Sequence, residues 1–281
     1  MPTVDVDGLS AYYEVHGPSG HATANPVLVM GGWGTFTGED FREVPRGVAR
    51  GRTVVVFDWR GLGRSADSPA RPATTREHAR VAAAVVDTSG LATHGPRLHV
   101  VGIVGMGACV AQWLAIDRPD LVRSLAVSGG WAAPDRVFTD QMHALRDVFL
   151  TDGFYAFQRL SALWCFDPEL YVQYADRVLG PDGAWKHLNG RLETMRRLVE
   201  ATVTHDTIAR LGEIGVPAFV LHAGADLLTG PRLTGPIEAG IPGARSELWP
   251  ELPHVVAGKE AKTRFSAIFD AFIGGVEAET R

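Results

Sequence analysis

Five short runs of apolar residues constrain the fold of this chain more than any other feature. They lie at 26–30, 53–57, 98–104, 124–127 and 218–222. Runs that are apolar throughout, rather than at every second position, are typical of strands buried on both faces of a parallel sheet. Helical patterns lie between them, for example at 75–86 and 108–116. This alternation predicts an α/β fold with a mostly parallel, doubly wound sheet.

The stretch 133–212 interrupts the alternation. It contains helical patterns rich in aromatic residues and no convincing strand, and it is too long for a loop in a compact domain. We therefore expect a core domain formed by 1–132 and 213–281, with a helical cap inserted at 133–212. The alternating residues at 4–16 add a hairpin strand to the predicted sheet.

Charge and composition exclude several classes of function. A net charge of −5 gives no electrostatic footprint for nucleic acid or anionic lipid. No apolar stretch is long enough to span a bilayer, and the first residues lack the pattern of a signal peptide, so we expect a cytoplasmic protein. Cys109 and Cys165 make neither a disulfide framework nor a metal set. The histidines show no ligand spacing, and we expect no metal and no cofactor.

Three glycine-containing turns follow predicted strands. The first, VMGGWG at 29–34, carries backbone N–H groups, that of Trp33 in particular, which are placed to face a developing oxyanion. The second is DWRGLGRS at 58–65, and the third, GIVGMGA at 102–108, connects a strand to a helix. The first is also compatible with an ordinary tight turn.

An acid and a histidine complete the pattern near the end of the chain. Asp226 follows the predicted strand that ends at 222, and His254 lies in the sequence WPELPH. A hydrogen bond from histidine to aspartate fixes the imidazole tautomer and supports the protonated ring. We expect the pair to form and His254 to act as a general base.

Together these motifs resemble the α/β-hydrolase fold superfamily over essentially the whole chain. The order nucleophile, acid, histidine is the one that this fold uses. The cap and the segment that follows it resemble capped small-molecule hydrolases of the enol-lactonase and aminoacrylate-hydrolase type, which act on small polar or aromatic-derived acids and lactones. The resemblance implies an α/β-hydrolase fold and a small-molecule substrate.

The chain departs from this superfamily at the nucleophile, which is usually the serine of Gly-x-Ser-x-Gly on a strained turn. Aligning the helical segment at 111–120 with the helix that follows this turn places Gly105 at the serine position. Counting forward from Gly102 places Val104 there instead. Neither residue can attack a carbonyl carbon.

Three other residues carry a hydroxyl or thiol near these motifs. Cys109 lies one helical turn beyond the elbow, where its side chain is expected to pack in the core. Ser128 follows the next strand, and Ser65 belongs to a turn, where capping is the simpler role. We therefore predict that none of the three replaces the missing serine.

Without a nucleophile, the remaining groups favour proton abstraction. The backbone N–H groups of Trp33 and Met106 form the predicted oxyanion hole, and His254 with Asp226 supplies the base. The predicted substrate contacts, which suit a ring-containing metabolite, are Gly32, Trp131, Trp164 and Phe166. The reactions open to such a site are isomerisation, cyclisation, C–C cleavage, decarboxylation and water addition. Cofactor-independent dioxygenases of this fold similarly use a His–Asp dyad to deprotonate their substrate.

Two alternatives stay open. The glycines at 105–108 are similar to those of the N-myc downstream-regulated family, which is regarded as non-enzymatic. This resemblance implies a protein that binds a ligand or a partner without turnover. The other alternative is hydrolysis of an ester or lactone by water that the base activates. The retained Asp226 and His254 favour an enzyme. An engineered change from serine to Gly105 is disfavoured, because Ile103 and Val104 also depart from the usual pattern.

Overall fold

The computed structural model describes residues 2–17, 26–91 and 97–279. The strands are β1 (Thr3–Val6), β2 (Leu9–His16), β3 (Val27–Met30), β4 (Val54–Phe57), β5 (Leu98–Ile103), β6 (Val122–Ser128), β7 (Ala218–Ala223) and β8 (Arg245–Trp249). They form one sheet in the order β1-β2-β4-β3-β5-β6-β7-β8. β2 is antiparallel to β1 and β4, whereas all other neighbours are parallel. The predicted fold class is confirmed.

Helices cover both faces of this sheet. They are α1 (Arg46–Ala49), α2 (Thr75–Thr88), α3 (Met106–Asp117), α4 (Arg136–Thr151), α5 (Phe154–Cys165), α6 (Pro168–Val178), α7 (Leu192–Val203), α8 (Pro231–Gly240) and α9 (Lys259–Ala278). Val27 and Val29 pack with residues of α1 and α9, whereas Leu28 and Met30 belong to the cluster that contains α2 and α3. Every residue of β3 is therefore buried, which explains its uninterrupted apolar run.

Helices α4 to α7, together called the inserted helices below, lie between β6 and β7 in the chain. The segment 133–212, which the structure describes throughout, also contains two short 3-10 helices, and no strand lies within it. The division into a core and a cap with these boundaries remains a prediction.

Polar contacts fasten α7 to the loops of the sheet. Arg197 Nε donates to Asp67 Oδ2 at 2.6 Å, and Arg191 Nη1 donates to the carbonyl oxygen of Gly61 at 2.6 Å. Both acceptors belong to the loop that follows β4. α7 is therefore held against the sheet edge at which the β4 loop emerges. Among the described residues, no helix is long and apolar enough to cross a membrane.

Candidate functional site

The candidate site lies where the carboxyl ends of parallel strands meet at one edge of the sheet. In open α/β sheets this edge is the usual place for ligands. The loops after β3, β5 and β7 supply 31–34, 104–105 and Asp226, and the loop after β8 supplies His254. The topology thus brings together residues that are far apart in the sequence.

Asp226 and His254 form a hydrogen-bonded pair. His254 Nδ1 lies 2.8 Å from Asp226 Oδ2. The other carboxylate oxygen, Oδ1, accepts the backbone N–H groups of Leu228 at 2.7 Å and Thr229 at 2.8 Å. The Thr229 hydroxyl lies 2.9 Å from Oδ2 and 3.1 Å from His254 Nδ1. These contacts hold the carboxylate and the imidazole in one orientation.

The environment of Asp226 favours its ionised form. Burial alone raises the pKa of this carboxyl, but the charge of protonated His254, its hydrogen bond, and the two backbone N–H groups outweigh burial. The net result is a pKa below the ordinary value. The carboxylate therefore accepts a hydrogen bond from the Nδ1–H group of His254, and the lone pair of the neutral ring lies on Nε2. Within the described part of the chain, Nε2 has no hydrogen-bond partner.

The turn between β5 and α3 has an unusual backbone. Gly105, the residue before α3, has φ 67° and ψ −132°, and Val104 before it has φ 62°. A positive φ at a β-branched residue is strained, at a cost of about 1–3 kcal/mol. The N–H of Val104 donates to the carbonyl oxygen of Ser128 at 3.0 Å, and that of Gly105 to Gly129 at 2.8 Å. The turn is thus anchored to the strand beside it.

Gly105 leaves space in front of this turn. A Cβ atom at Gly105 would lie 3.6 Å from Cα of Gly32, which is ordinary van der Waals contact. A Cβ at Gly107, by contrast, would lie 2.5 Å from the carbonyl oxygen of Met30. The start of α3 therefore packs directly against the end of β3, so that only glycine fits at Gly107, whereas the space at Gly105 admits a side chain.

The loop after β3 is fixed by a contact that the sequence did not reveal. The indole Nε1 of Trp59 donates to the carbonyl oxygen of Gly32 at 2.7 Å. In a trans peptide the next N–H, that of Trp33, points the opposite way. The backbone N–H groups of Trp33 and Met106 have no acceptor among the described residues. Both remain available to a ligand.

A cavity of about 1090 Å³ joins these groups. The predicted site residues that line it are Gly32, Trp33, Gly105, Met106, Trp131, Phe166 and His254. Asp226 lies behind His254, and Trp164 packs half-buried against the core without lining the cavity. The inserted helices contribute further apolar walls, among them Phe138, Met142 and Leu145.

None of the three alternative nucleophiles considered from the sequence lines this cavity. Cys109 is buried with Sγ against the carbonyl oxygen of Trp131, and burial raises the pKa of its thiol well above the ordinary value. Ser65 accepts from the N–H of Tyr12 and donates to the carbonyl oxygen of Asp58, so it does not cap the following segment. Ser128 is buried at the end of β6.

The thiol of Cys165, which the sequence analysis considered only as a disulfide partner or metal ligand, does line the cavity. Cys165 ends α5, and its carbonyl oxygen accepts the N–H of Val255, directly after His254. Burial, and then the charge of Asp226, raise the pKa of its thiol. The thiol is therefore protonated at neutral pH and a poor nucleophile. Among the residues that the structure describes, no cluster of histidine, cysteine and carboxylate side chains is arranged to hold a metal ion.

Comparison with known proteins gives a consistent picture. The sequence model of a family described as the alpha/beta hydrolase fold matches residues 25–257. A protein of Azorhizobium caulinodans named as a carbamate hydrolase, RutD, is 29% identical over 87% of this chain and 88% of its own length. The protein of that name from Variovorax paradoxus is 31% identical over 78% of this chain and 80% of its own length.

Solved structures resemble the fold at lower sequence identity. The enol-lactonase of Burkholderia xenovorans superposes with a TM-score of 0.82 at 20% identity, covering 97% of this chain and all of its own. An alpha/beta hydrolase from a deep-sea metagenome library has a TM-score of 0.83 at 19% identity, covering 97% of each chain. At such identities the likeness concerns the fold alone.

Proposed function

The chain belongs to the alpha/beta hydrolase fold family, and we propose that it is an enzyme that works without a covalent acyl intermediate. In this proposal His254, oriented by Asp226, is the general base. The substrate is a small, ring-containing metabolite, and the reaction proceeds by removal of a substrate proton. We propose further that Gly105 occupies the position at which relatives carry the nucleophile.

One observation carries the proposal. His254 and Gly105 line the same cavity; among the described residues Nε2 of His254 has no hydrogen-bond partner, and Gly105 has no side chain. The strained backbone of Val104 and Gly105 is nevertheless present. Strain of this kind persists where surrounding structure maintains it and is concentrated at functional sites. A protein that only binds a ligand needs neither the strained turn nor the His–Asp pair.

The proposed chemistry uses the groups as they lie. Nε2 of His254 takes a proton from an acidic C–H or O–H of the substrate, and the electron pair moves onto a substrate oxygen. The backbone N–H groups of Trp33 and Met106 donate hydrogen bonds to that oxygen as negative charge develops. Asp226 stabilises the imidazolium until the proton is returned. General base catalysis of this kind contributes about 10²–10⁴-fold to the rate.

Hydrolysis by base-activated water is the second candidate. It is favoured by the relatives, which carry the name of a hydrolase, and by the space that Gly105 leaves in the cavity that His254 also lines. A water molecule in that space would attack the carbonyl carbon while His254 takes its proton. This route uses the same base and the same N–H donors, but it adds one water to the substrate.

Mass spectrometry of a metabolite extract tests the proposal. The extract is incubated with the protein, with His254→Gln, and with His143→Gln as a control on α4 outside the cavity. We expect one metabolite to change with the protein and the control, but not with His254→Gln. An unchanged mass with a new retention time indicates isomerisation or cyclisation, and loss of carbon dioxide indicates decarboxylation. A gain of one water indicates the hydrolytic route. If a metabolite is retained but none changes, the binding alternative is correct.

A further inference from the structure

The cavity that contains His254 reaches solvent on one side. Every lining residue that is exposed comes from the segments 42–50 and 259–271, which include α1 and the first half of α9. The walls formed by the inserted helices are buried or half-buried. Val255 and Val256, which lie between His254 and α9 in the chain, also line the cavity. Gly47 of α1 packs directly against Ser266 of α9, so these two helices leave no passage between them. The opening lies instead beside their N-terminal ends, where Lys262 reaches Glu43, and not beneath the inserted helices.

This opening is positively charged, although the whole chain has a net charge of −5. Two carboxylates, Glu43 and Asp270, lie among the lining residues. The cationic side chains that line it are Arg42, Arg46, Arg50, Lys259 and Lys262. Two of the three lysines of the chain are thus at this opening. Low-dielectric walls focus such a field and raise the local concentration of ions of opposite sign.

The carboxylates neutralise only part of this charge. Lys262 Nζ lies 2.8 Å from Glu43 Oε2, and Arg50 Nη1 lies 3.8 Å from Asp270 Oδ2. Arg46 and Lys259, both exposed, have no carboxylate within 4.0 Å in the described part of the chain. Glu260 follows Lys259 but does not line the cavity.

The position of the lysines opposes the stability of their own helix. Lys259 and Lys262 lie in the first turn of α9, where the helix dipole is positive and disfavours cations. Both the dipole and the lysines add positive potential at the same place. Lys259 is a cation in the first turn of a helix and has no carboxylate partner there. An unfavourable local placement without a compensating contact is typical of a functional position.

From these observations we propose that substrates enter beside the N-terminal ends of α1 and α9, and that Arg46 and Lys259 select small molecules bearing an anionic group. The proposal rests on the proposed function, since it concerns access to the same cavity. Carboxylates and phosphates share the required chemistry. The apolar walls around the site then hold the remainder of the molecule.

A thiol placed at the site measures this selection without a known substrate. In Gly105→Cys the new side chain has room and faces the cavity, and Val255→Cys provides a second position in case the first variant does not fold. Each thiol is treated with two methanethiosulfonates of similar size, one carrying sulfonatoethyl and one trimethylammonioethyl. The thiolate attacks the thiosulfonate sulfur, a mixed disulfide forms, and methanesulfinate leaves. The unmodified chain, with its two buried cysteines, gives the background rate.

The expected result is a preference for the anionic reagent. At low salt we expect it to react about tenfold faster than the cationic reagent, at the low end of the range for electrostatic steering. The preference falls towards unity at high salt and in the double variant Arg46→Gln/Lys259→Gln. It persists in Arg159→Gln/Arg196→Gln, which removes two exposed cations that lie outside the cavity lining.

Three results overturn the proposal. They are equal or faster reaction of the cationic reagent, an equal loss of preference in both double variants, and no reaction with either reagent at either thiol. Because thiol modification requires no catalysis by His254, these outcomes are independent of the metabolite assay. If the opening is selective for anions but no metabolite is turned over, the proposed function is contradicted and the proposed entrance is still supported.

Discussion

Replacing Asp226 by asparagine is predicted to reverse the tautomer of His254. In the protein, the carboxylate oxygen Oδ2 accepts from Nδ1 at 2.8 Å, so Nδ1 carries the proton and Nε2 the lone pair. In Asp226→Asn, the amide oxygen stays with the two backbone N–H groups that Oδ1 accepts at 2.7 and 2.8 Å. The amide NH₂ then faces Nδ1 and donates to it. The proton moves to Nε2, and the base loses its lone pair.

The size of this effect follows from the hydrogen bond. A hydrogen bond to a charged acceptor contributes about 1.5–3 kcal/mol, which corresponds to a population ratio of roughly ten- to a hundredfold. We therefore expect the Nδ1–H tautomer of His254 to be dominant in the protein and minor in Asp226→Asn. The rate of the proposed reaction should fall in proportion to this population, by roughly ten- to a hundredfold, and at most by the 10²–10⁴-fold that a general base contributes.

The assay is a long-range ¹H–¹⁵N correlation spectrum of the imidazole rings at pH 8. The chain has ten histidines, and comparison with His254→Gln assigns the ring of interest. The Nδ1 and Nε2 shifts should exchange their protonated and unprotonated characters between the protein and Asp226→Asn. An Nε2–H tautomer in the unmodified protein, or no change in the variant, would refute the reasoning.

Three further predictions concern the elbow and the fold. Gly105→Ser should fold, with a free energy of unfolding lowered by about 1–2 kcal/mol because serine is strained at a positive φ. The new serine should react with a fluorophosphonate, which intact mass detects as one added phosphonyl group. Labelling of the unmodified protein would contradict the proposal. Gly107→Ala should lower the free energy of unfolding by about 1–3 kcal/mol, because the new methyl group clashes with the carbonyl oxygen of Met30. Gly274→Ala should raise it by about 0.5–1 kcal/mol, because Gly274 has open space around it in α9. Equal urea midpoints for these two variants would disprove the packing argument. Burial, as the main cause, lowers the pKa of three histidines: to about 3 for His78, about 4 for His99 and about 3 for His205. The unfolded chain binds these protons near pH 6.5, so the free energy of unfolding should fall by about 1.4 kcal/mol per pH unit for each histidine as the pH drops from about 6 to 4. Urea unfolding with an unchanged midpoint from pH 7 to 5 would contradict this.

The sheet was predictable where strands are buried on both faces. The apolar runs at 26–30, 53–57 and 98–104 became β3, β4 and β5 with small changes of boundary. β8 (Arg245–Trp249) was not identified, because it is an edge strand whose first four residues are exposed. Such a strand has no need of an apolar run, and its pattern is that of a loop.

The candidate site was predictable in its chemistry-bearing residues but not in the contacts that orient its loops. Asp226 and His254 stand out because an acid and a histidine follow strands in the order that the fold uses. Trp59 could not be identified as the donor that orients the loop after β3, since this contact depends on how two loops pack. Trp164 illustrates the converse, because an aromatic residue in a helical stretch packs equally well in a core or beside a ligand.

The charged opening could not be predicted from the sequence either. Arg46 and Lys259 are more than two hundred positions apart, and each looks like an ordinary surface cation. Only the packing of α1 against α9 places them at the mouth of one cavity. Long-range juxtaposition of unremarkable residues leaves no pattern in a single sequence.

Hydrogen exchange into a metabolite tests the central claim most directly. The metabolite extract is incubated in D₂O with the protein and, in parallel, with His254→Gln, and the protein is then examined by intact mass. We predict that one metabolite or its product gains deuterium only with the intact histidine, and that the protein mass does not change. Exchange that persists in His254→Gln, or an acyl group covalently attached to the protein, would contradict catalysis by His254 without a covalent intermediate.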